Sequence, residues 1–298
     1  MKKEIFTKGI FKYILFGLSV ITIASCEKKS IDPGDWDVLP PPVVVEPDPD
    51  PVDKKTITLK VMSYNARLGN VADLTKMIDI IKEYNPDLLL LRQVDSSTTR
   101  ANKVDRAKEV ALATGMTPYF AKAFDYQTGG YGNAVLSRFP ILNSKAITFS
   151  GASEVRSLAM ITVKIDDLNK VVFAGTELDP VATNETVRLE QITKILNETK
   201  DIQDPVILAG NFNFNKGGEG FSNITNTGVF NQITGQFTFG CITPGCALNS
   251  PVAAPTGIFD FVTYKPSNRF SVVNYSAFSK ATSGFLPIIA ELELTLTE

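Results

Sequence analysis

The chain has 298 residues, 44% hydrophobic and 9% aromatic, with 30 Lys and Arg against 32 Asp and Glu and no histidine. This composition can bury a full core and excludes global disorder; the missing histidines exclude Ser–His and Cys–His nucleophilic pairs. The formal charge of −2 falls to −5 without residues 1–25, which carry four lysines and one glutamate, and a mildly acidic protein argues against nucleic acid as a partner.

In chain order, Lys2, Lys3, Lys8 and Lys12 form a basic start, and Ile14 to Ile23 is an apolar run. The run is too short for a comfortable membrane span and ends in small residues, which is the pattern of an export signal. Its end, Ile23-Ala24-Ser25-Cys26, resembles a bacterial lipobox. That resemblance implies that residues 1–25 are a lipoprotein signal peptide and that Cys26 is lipidated. The mature chain would then be anchored in the cell envelope, on its periplasmic or surface face, because several acyl chains hold a protein firmly. The alternative is an ordinary secretory signal with an incidental cysteine.

Residues 26–55 form a Pro/Asp-rich tether. Pro40-Pro41-Pro42 and Pro47-Asp48-Pro49-Asp50-Pro51 favour polyproline II, which extends about 3.1 Å per residue. Trp36, the only tryptophan, lies within it as a local packing anchor or surface contact.

The folded domain is expected over residues 56–298. Ile57 to Tyr64 alternates apolar and polar residues as a half-buried strand does. Asp73 is placed to cap a helix whose apolar face is Leu74, Met77, Ile78 and Ile81, and Asn85-Pro86-Asp87 stops it. Leu88 to Leu91 is continuously apolar, as in a strand buried on both faces. Further strands are predicted at 132–137, 144–149, 157–164, 171–176, 206–210, 258–264 and 287–296, with Gly129-Gly130 as a turn. A helix is predicted over 185–200 with Val187, Ile192, Ile195 and Leu196 facing the core. The Gly/Asn/Thr/Ser-rich stretch 215–255 reads as long loops. Cys241 and Cys246 flank Pro244-Gly245 and point to a small disulfide loop in an exported protein, since a metal site would want more Cys or His nearby.

Several blocks carry a family resemblance. They are Met62-Ser63-Tyr64-Asn65, Pro86 through Asp95, Tyr131-Gly132-Asn133 through Arg138, and Gly175-Thr176-Glu177-Leu178-Asp179. The pair Arg188 and Gln191, then Gly210-Asn211-Phe212-Asn213, Phe259-Asp260-Phe261-Val262 and Ser283-Gly284-Phe285-Leu286-Pro287 complete the series. In this order the chain resembles the endonuclease/exonuclease/phosphatase superfamily of metal-dependent phosphoesterases. The resemblance implies an α/β fold: a four-layer sandwich with two central, mostly antiparallel sheets flanked by helices, and an active site at one rim.

It also implies what the site should hold. Phosphoester hydrolysis by this family needs a divalent cation on carboxylates, an activated water, and groups that stabilise phosphoryl oxygens. The family's metal-binding Glu is Gln93 here, and its water-orienting Asp is Asn211. Its two His positions are Glu177 and Phe285, and its closing Asp is Gly284; Asn65, Asn213 and Asp260 are retained. No catalytic set is intact, so no metal is expected, and Glu177 is expected to repel phosphate. Asp260, which in the family holds the final His, is expected to have found another donor such as a Tyr hydroxyl or a backbone amide.

The resulting reading is a membrane-tethered pseudoenzyme, a binding module for a glycan or a protein. Its cleft candidates are Gln93, Tyr131, Asn133, Glu177, Asp179, Asn211, Asn213 and Phe285. Gln93, Asn211 and Asn213 could equally satisfy strand-end backbone groups, and Asp95 and Asp179 read first as loop and cap residues. One rival reading is a phosphoesterase whose Glu177, Asp179 and Asp260 hold Mg²⁺, Mn²⁺ or Ca²⁺ in a rearranged site. Another is a structural envelope protein whose cleft is closed by Phe212 and Phe285.

Overall fold

The first strand, β1 (Thr56–Asn65), sets the architecture by its alternation. Leu59 and Val61 enter one buried cluster while Met62 and Tyr64 enter another. A strand with apolar residues on both faces must be covered on both. The computed structural model describes residues 54–67, 71–152, 154–181, 183–213, 228–241 and 259–298. The signal segment, Cys26, residues 26–53 of the tether with Trp36, Cys246 and most of 215–255 lie outside the described residues, so the Cys241–Cys246 loop does too.

Two six-stranded sheets face each other. The first runs β11 (Phe270–Ala277), β12 (Ile288–Thr295), β1, β2 (Leu88–Ser96), β4 (Gly129–Ser137), β3 (Thr117–Tyr126). The second runs β5 (Ile141–Phe149), β6 (Arg156–Lys164), β7 (Lys170–Glu177), β8 (Val206–Asn211), β10 (Asp260–Lys265), β9 (Thr238–Phe239). Most neighbours are antiparallel. The described parallel pairs are β1 with β2 and β7 with β8. Each parallel pair is joined by a helix, α1 (Val71–Tyr84) in the first sheet and α3 (Glu185–Thr199) in the second. Helices α1 and α2 (Arg106–Thr114) cover the outer face of the first sheet through Leu74, Met77, Ile81, Ala107 and Val110. Ile192, Ile195 and Leu196 of α3 join the larger cluster. Helix, sheet, sheet, helix gives the four-layer α/β sandwich.

The structure corrects several sequence expectations. Asp73 lies inside the first turn of α1, so it favours the helix dipole from within and is not the cap. Val187 is only half-buried; α3 turns Arg188 and Gln191 inward beside Ile192, Ile195 and Leu196, and both hydrogen-bond the chain after β7. Gly129-Gly130 is strand, and the turn is Gln127-Thr128, both at positive φ. Gly129 is required by close approach, since a Cβ there would lie 2.3 Å from the Ser96 carbonyl oxygen. β3, β11, α2 and the short helix α4 (Gly228–Thr234) were not predicted. β3 and β11 are sheet edges with few buried positions, and edges lack the clean alternation that marks a half-buried strand.

Candidate functional site

The carboxyl ends of β1, β2, β7 and β8 meet at one rim, where an α/β sheet usually places its ligands. Along β2, Leu88 and Leu90 face the space between the sheets, and Leu89 and Leu91 face the helices. Arg92 therefore points between the sheets. Gln93 should point away, but the pairing of β2 with β4 slips between Leu91 and Val94, and Gln93 adopts φ 59°. This bulge turns two consecutive polar side chains inward.

Both reach the same carboxylate. Arg92 Nη1 donates to Glu177 Oε2 at 2.7 Å, and Gln93 Nε2 donates to Glu177 Oε1 at 2.8 Å. Arg92 Nη2 donates to Asp260 Oδ2 at 2.8 Å, while Ser63 Oγ donates to Asp260 Oδ1 at 3.0 Å. Arg92 is fully buried, and Glu177 and Asp260 are nearly so. Burial alone would lower the Arg92 pKa, but Asp260 and Glu177 more than offset this and raise it above the ordinary value. Asp260 therefore has other donors, among them the Arg92 guanidinium and the Ser63 hydroxyl, which were not among the examples the sequence suggested. Glu177 does not stand as a free negative charge, because Arg92 balances it and Arg156 Nη1 lies 3.9 Å away.

The amides have a different part. Asn65 Oδ1 accepts from Arg67 N at 2.9 Å, and Asn211 Oδ1 accepts from Asn213 N at 2.8 Å. Both are side-chain turns that redirect the chain at a strand end. Asn213, at φ 49°, also donates to the Leu178 carbonyl. The turn at Asn211 depends on Gly210, whose φ of 153° brings its Cα so near β7 that a Cβ would lie 2.1 Å from the Thr176 carbonyl oxygen. Asn133 donates to the Ser157 carbonyl at 2.7 Å and so ties the two sheets. Phe285 packs edge-on against Phe259 at 5.4 Å. Gly284 is exposed, with nothing within 4 Å of where a Cβ would sit.

Asp179 is a buried loop anchor. It accepts from Ala152 N, Val181 N and Asn184 Nδ2, and its own N–H donates to Gln191 Oε1. Burial opposes its charge, yet these donors and Arg156 hold its pKa below the ordinary Asp value. Arg188 Nη1 adds a 2.6 Å bond to the Val181 carbonyl, so α3 fixes the segment after β7.

Beside the Arg92 cluster opens a cleft of about 300 Å³. Of the predicted residues, Gln93, Tyr131 and Glu177 line it, and Asn133 lines a small separate pocket that shares those three; Asp179, Asn211, Asn213 and Phe285 are not among the cleft's described lining. The sequence reading missed Arg67, Arg100 and Arg156, which bring positive charge to the cleft. Arg100 donates from Nε to Asp95 at 3.0 Å and lies over Tyr126 and Tyr131 at 4.5 and 5.4 Å from the ring centres. Burial, then Glu177 and Glu154, push the Tyr131 hydroxyl well above its usual pKa, so it serves as a neutral hydrogen-bonding group.

These residues do not fit the divalent cation that a phosphoesterase of this pattern would hold. Hard cations need several oxygen ligands. Glu177 and Asp260 each already accept a guanidinium, Gln93 presents its N–H₂ to Glu177, and no cluster of three acidic or Cys ligands exists among the described residues.

Two outcomes follow. Arg92→Met leaves two buried carboxylates without their cation and should cost about 3–5 kcal/mol in urea unfolding; a loss under about 1 kcal/mol would contradict the assigned role. Because the folded pKa of Asp179 is lowered, its stabilisation is present above the unfolded value of about 3.9 and is lost as pH falls through the folded value. Melting curves from pH 5 to pH 2.5 should therefore show a shallower acid decline for Asp179→Asn than for the unsubstituted chain.

The model of the Endonuclease/Exonuclease/phosphatase family matches residues 62–273. Among solved structures, an endonuclease/exonuclease/phosphatase from Bacteroides vulgatus superposes with a TM-score of 0.63 at 16% identity, covering 80% of this chain and 99% of that one. The mannosyl-6-phosphatase Bt3783 of Bacteroides thetaiotaomicron gives 0.59 at 15% identity over 78% and 99%. D. rerio TDP2 complexed with a single-strand DNA product gives 0.61 at 14% identity over 79% and 98%. At these identities the likeness is one of fold. No curated protein matches the chain. With the family model spanning more than two-thirds of its residues and the four-layer fold in place, the chain belongs to the endonuclease/exonuclease/phosphatase family.

Proposed function

We propose that this chain is a non-catalytic member of its family, a binding module for a polar ligand. It would be held at the cell envelope by lipid on Cys26 and carried away from the bilayer on the 26–55 tether. The observation that carries the reading is Arg92. A buried guanidinium shared by Glu177 and Asp260 supplies the positive charge that a metal would bring, but as a fixed part of the protein. A cation tied on both sides by carboxylates can neither polarise a phosphoryl oxygen nor lower the pKa of a bound water, which are the two services a metal provides. Gln93 and Asn211 carry no ionisable group to take a proton.

The cleft supports binding. It is open, lined by polar side chains and backed by the aromatic group Phe124, Tyr126 and Tyr131, whose ring centres lie 5.4 to 6.2 Å apart. The rival reading, a hydrolase with rearranged carboxylates, draws on the activities named for some structural relatives. It requires Glu177, Asp179 and Asp260 to gather on one metal. Asp179 is instead consumed by the loop it anchors, and Arg92 holds the other two.

The purified chain should show no heat of Mn²⁺ or Mg²⁺ binding and no turnover of generic phosphomonoesters or diesters with either ion. A combined variant, Gln93→Glu, Glu177→His, Asn211→Asp, Gly284→Asp and Phe285→His with Arg92→Gln, serves as the positive comparison. Turnover by the unsubstituted chain that is abolished by chelator and by Glu177→Ala would overturn the reading.

A further inference from the structure

The cleft departs from the charge of the whole chain. The protein is acidic, yet Arg67, Arg100 and Arg156 line this cavity against Glu154 and Glu177. Glu177 is already balanced from beneath by Arg92. Arg100 is paired with Asp95 and Arg156 with Glu154, so the walls offer an outside anion the donor groups these pairs leave open, together with Arg67.

Each arginine is held differently. Arg156 is buried; its Nη2 lies 3.1 Å from Glu154, its Nη1 faces Glu177, and its Nε has no hydrogen-bond partner. A buried guanidinium N–H without a partner is costly, and this one belongs to a side chain that lines the cavity. Arg100 spends its Nε on Asp95 and is fixed over Tyr126 and Tyr131, while its side chain stays 44% exposed. Its terminal amino groups remain for an outside acceptor, apart from a long 3.5 Å contact to the Tyr126 hydroxyl. Arg67 is exposed and makes no ion pair among the described residues; the turn built by Asn65 carries it to the mouth.

We propose that this cleft binds a carboxylate-bearing sugar, such as a uronic acid unit of a glycan. The inference rests on the non-catalytic binding reading and names its ligand class. A planar carboxylate matches the two-pronged donor edge of a guanidinium, and such paired bonds are the strong, directional ones. The sugar hydroxyls find acceptors in Glu154 and in the Gln93 carbonyl oxygen, whose amide nitrogen is engaged by Glu177. Phe124, Tyr126 and Tyr131 give the ring a rigid wall.

Calorimetric titration of the full chain with tri-galacturonic acid, without added divalent ions, tests this. Parallel arms use its methyl ester, a neutral galactose trisaccharide, glucose 6-phosphate and a Glu-rich peptide. Binding is expected for the uronate, with affinity about tenfold or more weaker for the methyl ester and for the neutral sugar. Arg67→Gln and Arg100→Gln should each weaken the uronate by a similar factor, whereas Lys280→Gln, paired with Glu83 elsewhere, should leave it unchanged. Arg67 is exposed, so its variant keeps the fold even if Arg100→Gln disturbs Asp95. Absence of uronate binding, equal affinity for ester and acid, tighter binding of the phosphate or the peptide, or indifference to Arg67→Gln would each overturn the proposal. None of these results touches the non-catalytic reading, whose test reads metal binding and turnover.

Discussion

One buried guanidinium organises the rim of this protein. Arg92 comes from the first sheet, Glu177 and Asp260 from the second, and the bonds among them close the sandwich at the end where the cleft opens. Three buried ionised groups are tolerated here because every carboxylate oxygen and both terminal guanidinium nitrogens have a partner, although the Arg92 Nε has none. Ser63 and Gln93 complete that set by donating to the oxygens that Arg92 leaves. The same cluster fixes the position of Glu177, and Glu177 with Arg156 then forms the inner wall of the cleft. Fold and cleft therefore share one electrostatic centre.

The backbone makes this possible. A parallel strand–helix–strand unit lies at the centre of each sheet, β1-α1-β2 in one and β7-α3-β8 in the other, and both deliver polar strand ends to one rim. Each unit also carries a side-chain turn, at Asn65 and at Asn211. The bulge at Gln93 breaks the likeness between the two halves. It places Arg92 and Gln93 on the same side of the strand, so that one carboxylate meets two donors from adjacent residues.

Much of the frame was legible in the residues. The Leu88 to Leu91 run and the alternation of β1 announced strands covered on both faces, and the ordered blocks announced the four-layer sandwich. The edge strands were not legible, because β3 and β11 bury too little to carry a period. At the site, Asn65, Asn211 and Asn213 were visible as strand-end residues; of the three amides read as possible backbone partners, Asn211 and Asn213 bond backbone groups and Gln93 donates to the Glu177 side chain. Arg92 was overlooked although a signal existed. A charge placed directly after four leucines on a doubly covered strand must have a buried counter-charge. Its partners lie 85 and 168 residues away in sequence, and only the pairing of two sheets brings them together. Arg67, Arg100 and Arg156 gave no comparable signal, because solvent-exposed and cleft-lining arginines look alike until the walls of the cleft are known.

The central claim is that Arg92 is the cation of this site. Diffraction at the manganese absorption edge from crystals soaked in Mn²⁺ would test it most directly. The account predicts density for the Arg92 guanidinium bridging Glu177 and Asp260, with no anomalous peak between them. An anomalous peak coordinated by Glu177 or Asp260, with Arg92 swung out of the cluster, would contradict it.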